Sequence, residues 1–420
     1  MTTRSPRRGG AIGWIAGSLA ERDEALALLQ DAGAAEPRDE LGIGPLRDVL
    51  ANAFFPGITT LQTRAKYFLF VPAMYARVEA DSVMRRRPRE AILELENTLL
   101  HRLLSSKDDL DGVIGSRFRR VPETPSSAIY WSGLQTWRIR RFMDSRARYH
   151  GYLQTPSRLL IHEHEEDGPE TEEPVRWLEV PGGEGLLDDP DIGLNRQQSD
   201  FLESCILATK DRGSPLRRTV GHDRTPSRRP LLRELLHESL RPDQSFWDLA
   251  VVRDQQADLS LEARDAEWLS AAMYGGMLLY NRLCAGVRRD TDAVEHWSSE
   301  CDMWSAAHPP AHWVGWDLDA FWVRVSQLRG GVAAMASTRA FIDAWVAVLR
   351  SLDSTGLAGS SAARRELERR ERRTKPGRER LTSQCAIAGW TPEGVGREAL
   401  DFRWRRARRI LLDIQEGAQR

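Results

Sequence analysis

The chain has 420 residues, of which 41% are hydrophobic and 14 are Trp, so it can bury a sizeable core and is too apolar to be disordered. Its formal net charge of −1 excludes a uniformly basic or acidic protein but hides strong segregation. Residues 163–191 hold twelve acids against one base, whereas the last sixty residues hold sixteen basic residues against nine acids. Charge sorted in this way is typical of a chain with an interaction face.

The start of the chain has an export-like feature, because Arg7 and Arg8 precede a short apolar patch. Ser18 and Glu21 nevertheless form a capping box that opens a charged helix, and the later apolar run at residues 271–279 is too short to cross a bilayer. The four cysteines are far apart and form no CxxC pair, which argues against a zinc ribbon or disulfide framework. We expect a cytoplasmic protein with no membrane partner, no metal and no cofactor.

Helical periodicity prevails from residue 44 onward. Gly44-Pro45 predicts a helix start that buries Leu46, Leu50 and Phe54, and Pro56-Gly57 predicts its end. A further helix is predicted from a cap at Thr59 or Thr60, ending or kinking at Pro72. Residues near Pro88 open the next helix, and Ser126 or Ser127 caps another.

The helical pattern fails between residues 155 and 195, where Pro, Gly and acids dominate. The predicted fold class is mainly α: a multi-helix, two-lobed globular protein with a few short strands. The predicted units are an N-terminal helical domain (1–154), an acidic linker (155–195), a Trp-rich helical domain (196–355) and a basic C-terminal helical segment (356–420). Short strands are expected at residues 113–121 and 175–180.

Residues 39–75 carry the sequence DELGIGPLRDVLANAFFPGITTLQTRAKYFLFVPAMY. This segment resembles a family of uncharacterised bacterial proteins, a domain of unknown function, with the signature ELGIGxxRD…FFPGxTTxQTRAKYFLFVP. The likeness continues at residues 125–134 (PSSAIYWSGL), 276–283 (GMLLYNRL) and 400–417 (LDFRWRRARRILLDIQEG). The resemblance supplies no activity and no catalytic residue. It implies a setting among the helicase and modification genes of anti-phage defence.

This signature segment concentrates directional polar side chains beside aromatic bulk. One interpretation is an anion pocket at the start of the Pro45 helix, where glycine N–H groups and the helix dipole favour a phosphate. The alternative is a buried network in which carboxylates neutralise Arg47 and Arg64, and the number of specific residues favours it. The residues in question are Asp39, Glu40, Arg47, Asp48, Gln62, Arg64 and Lys66.

A second candidate lies between residues 117 and 148, where eight arginines face only Glu123 and Asp144. The interleaved aromatic residues would stack on bases, and the order of helix, turn and capped helix allows a helix-turn-helix or winged-helix-like unit. The alternative is an amphipathic helix with a solvated arginine face and core aromatics. The predicted nucleic-acid contacts here are Arg117, Arg119, Arg120, Tyr130, Gln135, Arg138, Arg140 and Arg141.

The third candidate is the basic end of the chain. Alternating Glu and Arg at residues 364–380 favour a self-paired helix surface. The following helix carries a more suggestive basic face, which would contact phosphate, the chain's own acidic stretch or an acidic partner. The predicted nucleic-acid contacts on this helix are Arg405, Arg406, Arg408 and Arg409.

Other signals are weak. His162 and His164 lie in an acidic patch without further ligands, and His308-Pro-Pro-Ala-His312 lacks the geometry of a metalloprotease helix. The residues therefore favour a non-catalytic nucleic-acid-binding or complex-assembling subunit, with DNA favoured over RNA and with partners in a defence complex. The alternatives are an adaptor for an acidic protein and an enzyme of unrecognised type that uses Asp39, Glu40, Gln62 and Arg64.

Overall fold

The computed structural model describes residues 40–106, 110–155, 176–209, 230–253, 258–329 and 335–420. These residues are mainly helical and form eighteen α-helices, which confirms the predicted class. In chain order they are α1 (Gly44–Phe54), α2 (Tyr67–Ala80), α3 (Ser82–Arg86), α4 (Pro88–Ser105), α5 (Ser126–Ile129), α6 (Trp131–Thr136), α7 (Arg146–Gln154), α8 (Arg196–Leu207), α9 (Leu231–Glu234), α10 (Ala250–Arg253), α11 (Asp258–Arg288), α12 (Thr291–Ala307), α13 (Pro310–Val314), α14 (Leu318–Arg329), α15 (Ala336–Arg350), α16 (Gly356–Gly359), α17 (Ser361–Thr374) and α18 (Trp404–Ala418).

Extended pairing is almost absent from the described residues. Its one instance is an antiparallel bridge between Arg140 and Trp177. The predicted strand pair at residues 113–121 is wrong, because this stretch forms turns and the 3₁₀ helix Ser116–Phe118. Further 3₁₀ helices are Gly183–Leu187, Phe246–Asp248 and Ala386–Gly389.

The starts of several helices follow the local signals. Pro45 lies at the first turn of α1, and Pro88 opens α4. The helix predicted from Thr59 or Thr60 begins instead at Tyr67, after a stretch of turns. Pro72 does not end it, since α2 continues to Ala80 and is buried along most of its length. Tertiary packing of α2 therefore outweighs the cost of a proline inside a helix.

The long helix α11 organises the second half of the chain by packing against α12, α15 and α17. Its small residues allow this approach: a Cβ added to Gly275 would lie 2.5 Å from the Trp304 ring. Trp304 and Trp345 donate their indole N–H groups to backbone carbonyls of Ala271 and Ala272. Aromatic bulk on the partner helices thus fits the small-residue face of α11.

The two ends of the described chain meet. Phe402 and Trp404, at the start of α18, pack against Phe54 and Phe55 of the signature segment. Buried apolar residues from all the described parts of the chain form one continuous cluster. The two-lobed arrangement and its boundaries stay predictions.

The remaining expectations concern thiols and membranes. Cys205 and Cys284 are buried free thiols. Burial raises the pKa of Cys205 to about 11. No helix among the described residues is long and apolar enough to span a bilayer.

Candidate nucleic-acid interface

Arg64 stands at the centre of a buried polar network in the signature segment. Its Nε lies 3.0 Å from both carboxylate oxygens of Asp413 on α18. The same carboxylate accepts the backbone N–H of Ala65 at 2.8 Å. Arg64 also donates from a terminal nitrogen to the carbonyl of Asp111 at 2.9 Å. The expectation that a carboxylate of the signature segment neutralises Arg64 is therefore wrong for its described residues, because the partner comes from the other end of the chain.

The network reaches the loop that follows α4. Thr63 donates from its hydroxyl to the carbonyl of Gly112 at 2.6 Å, and the Tyr67 hydroxyl accepts the backbone N–H of Ile114 at 2.9 Å. Tyr130 accepts the backbone N–H groups of Thr63 and Arg64 at 2.9 and 3.1 Å. Burial raises the pKa of Tyr130 to about 12, so its hydroxyl keeps the proton that it donates to the Arg64 carbonyl. Residues 111–114 are thereby fixed to the signature segment.

Glu40 is buried, and its carboxylate contacts two cationic side chains that follow α17. Arg380 donates to one carboxylate oxygen at 2.9 Å, and the Lys375 ammonium contacts the other. Arg370 donates to the carbonyls of Leu41 and Gly42 at 2.6 and 2.8 Å. Asp39, the other predicted acid here, lies outside the described residues.

The other predicted polar residues also bond to protein groups. Asp48 contacts Arg47 at 3.4 Å and Arg403 at 2.9 Å. Gln62 is fully buried and donates to the Gly57 carbonyl at 3.0 Å. Lys66 donates to the Gly193 carbonyl and the Gln198 side chain at 2.6 and 2.8 Å, and burial lowers its pKa to about 8.

A small cavity of about 40 Å³ does lie at the start of α1. Glu40 and Arg47 line it together with apolar residues that include Met273 and Met277. Gln62, Arg64 and Lys66 do not line it. The geometry thus supports a buried network for most of the set and leaves the anion pocket a prediction for Arg47.

The basic face of α18 is occupied by bonds within the chain. Arg405 contacts Glu398 at 2.5 Å, and Arg409 contacts Asp413 at 3.3 Å. Arg406 and Arg408 donate to the backbone carbonyls of Thr60 and Gln244 at 3.0 and 2.6 Å. Among the described residues, none of these four arginines is left without a protein partner.

The loop before α5 has a different character. Arg117, Arg119 and Arg120 are exposed and form no ion pair with another described residue. Phe118 is 69% exposed among them, and the Arg117 guanidinium lies 5.3 Å from its ring centroid. We call residues 116–120 the basic loop.

Two further exposed arginines, Arg138 and Arg141, follow the end of α6, and neither is paired with a carboxylate in the described chain. Both places border one aromatic cluster: Tyr67, next to the loop, lies 5.4 Å from Tyr130, and Trp137 stacks on Phe68 at 3.9 Å. Arg117, Arg119, Arg120, Arg138 and Arg141 form what we call the exposed arginine group.

Three other predicted contacts need correction. Tyr130 and Arg140 are buried, so neither side chain lies on a surface that a nucleic acid reaches. Arg140 lies 4.1 Å from the Trp131 ring centroid and donates to the Gln135 side chain at 2.7 Å, which occupies Gln135 as well. The aromatic residues expected to stack on bases (Tyr130, Trp131, Trp137, Tyr149 and Tyr152) are all buried.

The helix-turn-helix interpretation gains no support from these elements. Helices α5 and α6 have four and six residues, and Ser126, Ser127, Trp131 and Leu134 are buried. A recognition helix needs a longer exposed face. The available surface is instead a turn, and its aromatic residue, Phe118, was missed because no periodic pattern surrounds it.

No group of three or more acidic, His or Cys side chains in the described residues is placed to hold a metal. His162 and His164 lie outside the described residues. The described residues define a mainly helical protein with an interior polar network and an exposed arginine group.

A model of a family of unknown function, DUF6361, matches residues 10–418, and the chain belongs to that family. No curated protein and no solved structure matches it. The sequence resemblance is therefore confirmed at the level of an uncharacterised family, and the setting in phage defence stays a prediction.

Proposed function

We propose that this protein is a non-catalytic nucleic-acid-binding subunit that contacts phosphates through the exposed arginine group. The observation that carries the proposal is the contrast in pairing: five exposed arginines have no carboxylate partner among the described residues. Guanidinium groups suit bidentate phosphate contacts, and those already in water pay little desolvation cost on binding.

The residues that lead into the basic loop are also bonded to the signature segment in the absence of a ligand. Bonds from Thr63, Arg64 and Tyr67 fix residues 111–114 beneath it. A prearranged contact surface loses less conformational entropy on binding than a mobile one. The signature segment thus supports the interface from inside rather than forming it.

The competing interpretations lose their main supports. The adaptor interpretation and the predicted phosphate contacts of α18 both required free cations on that helix, and its four arginines are bonded within the chain. The enzyme interpretation used Asp39, Glu40, Gln62 and Arg64. The last three are buried and bonded to protein groups, and Asp39 lies outside the described residues. A role within a defence complex remains what the resemblance implies.

The test is direct binding of the full chain to fluorescently labelled, mixed-sequence DNA and RNA at rising salt, with circular dichroism to check folding. The variant is Arg117→Glu/Arg119→Glu/Arg120→Glu. The matched control is Arg365→Glu/Arg373→Glu/Arg378→Glu, which reverses three exposed arginines that form no ion pair with another described residue.

Wild type and control should bind with affinity that falls steeply with salt, and the loop variant should lose at least about tenfold. Absence of binding to both nucleic acids at low salt would overturn the proposal. So would equal affinity of the loop variant and wild type. Loss in the control alone would move the interface to the C-terminal segment.

A further inference from the structure

Phe118 is the feature that the phosphate contacts do not explain. A large aromatic side chain that is 69% exposed contributes little to the hydrophobic core. The Arg117 guanidinium lies 5.3 Å from the centroid of this ring, which is a cation–π contact.

The backbone presents Phe118 outward in a constrained turn. Gly115 has φ 88° and Arg119 has φ 51°, so both residues around the short 3₁₀ helix adopt the left-handed region. A Cβ at position 115 would lie 2.4 Å from the carbonyl oxygen of Arg120, which only glycine avoids. The turn therefore closes tightly at its base and leaves the phenylalanine at its tip.

An exposed ring among arginines matches the chemistry of unpaired bases. Proteins that bind single strands combine a positive surface for the backbone with aromatic rings on which bases stack. In a duplex the base faces are already stacked on their neighbours, so a ring at the tip of a turn has nothing to stack on. Helices α5 and α6, which follow the loop, have four and six residues and are too short to read a groove.

We infer that the basic loop takes single-stranded nucleic acid, with an unpaired base stacked on Phe118 and the adjacent phosphates held by Arg117, Arg119 and Arg120. This inference rests on the proposed function and adds the class of strand. Arg117, on the ring, completes a guanidinium–ring–base arrangement in which cation–π attraction adds to stacking.

The experiment compares a labelled 20-nucleotide single strand with the duplex of the same sequence, using the full chain at one moderate salt concentration. The variants are Phe118→Ala, which removes the ring, and Phe118→Trp, which keeps a stacking surface. The control is Val314→Ala, which trims another exposed apolar side chain, 71% accessible on α13. Vesicles of anionic phospholipid serve as a second probe.

We expect wild type to prefer the single strand. Phe118→Ala should weaken single-strand binding by about 5- to 140-fold while leaving duplex binding unchanged. Phe118→Trp should retain affinity, and Val314→Ala should match wild type.

Preference for the duplex, or an equal effect of Phe118→Ala on both strand types, would overturn the inference while leaving the proposed function standing. Loss of both nucleic acids only in the arginine variant, with Phe118→Ala silent, has the same meaning. Vesicle binding that depends on Phe118, without any oligonucleotide binding, would overturn both and assign the loop to a membrane surface.

Discussion

Helix α18 and the basic loop are both rich in arginine, but the surroundings of their guanidinium groups differ. Along α18 the neighbouring turns supply Glu398 and Asp413, and loops from elsewhere supply carbonyl oxygens. Around the basic loop the described chain supplies no such partner. Local charge density is therefore a poor guide to an interface, and what decides the matter is whether the fold brings acceptors to the guanidinium groups.

The difference extends inward to the residues that hold each group. Asp413 of α18 bonds Arg64, and Arg64 bonds the loop carbonyl of Asp111. Through Asp413 and Arg64, helix α18 thus helps to position the residues that lead into the basic loop. Removal of Asp413 should therefore lower the free energy of unfolding. Removal of the loop arginines should weaken binding with little effect on stability.

The largest expected effect follows from removing the buried carboxylate. Asp413→Ala should lower the free energy of unfolding by about 3–5 kcal/mol, because Arg64 is left buried without its counter-charge. A shift of the urea midpoint at constant slope measures this loss. Arg405→Ala is the control, since its pairs with Glu398 and Asp401 are exposed and should be worth less than about 1 kcal/mol. Equal losses of stability in the two variants would contradict this structural role of Asp413.

Much of the fold was predictable because its signals are local. The start of α1 at Gly44-Pro45, the start of α4 at Pro88 and the buried face of α1 follow from propensity and period. The alternative in which Pro72 ends the helix was wrong, because a proline rule ignores the packing that surrounds α2.

The pairing within the site was not predictable in the same way. Arg64 and Asp413 are 349 positions apart, and nothing in either segment names the other. The exposed Phe118 was equally hidden, since aromatic residues such as Tyr130 and Trp137 were expected to lie beside the arginines of the surface. Both sit instead on apolar faces, where their rings are fully buried.

A second comparison uses two arginines with left-handed backbones. Arg403, with φ 69°, bonds Asn52, Ile58 and Asp48 at 2.8–2.9 Å, whereas Arg138, with φ 58°, is exposed. Arg403→Gly should destabilise by about 2–3 kcal/mol through its lost hydrogen bonds. Arg138→Gly should stay within about 1 kcal/mol of wild type, because relief of strain offsets the added chain entropy. The thermal unfolding midpoints of the two variants measure this difference. Equal shifts of the two midpoints would contradict it.

A third prediction separates the two basic regions by ion release. Arg119→Gln should reduce the slope of log K against log salt by about 0.7–0.9, the amount expected for one lost phosphate contact. Arg408→Gln should leave the slope unchanged, because that guanidinium is bonded to the Gln244 carbonyl. Anisotropy titrations at several salt concentrations measure both slopes. A fall for Arg408→Gln alone would reverse the assignment of the two regions.

The smallest expected effect concerns Glu96, a buried carboxylate of α4 that bonds the start of α5. Asp413 has cationic and backbone donors on its oxygens, whereas Glu96 accepts from Ser126 and Ser127 on Oε1 only, and its buried Oε2 has no partner among the described residues. Burial raises the pKa of Glu96 above its ordinary value. The folded protein therefore binds this proton more tightly than the unfolded chain does, and stability must fall as pH rises from the ordinary carboxyl pKa through the raised one.

Glu96→Gln keeps a neutral side chain at every pH and should remove that part of the slope. Its stability should approach that of wild type at acidic pH and exceed it as Glu96 ionises in the folded wild type. Urea midpoints measured across this range test the sign. If wild type instead gained stability relative to Glu96→Gln as pH rose, folding would favour the charged form of the Glu96 carboxylate. That outcome would contradict a raised pKa.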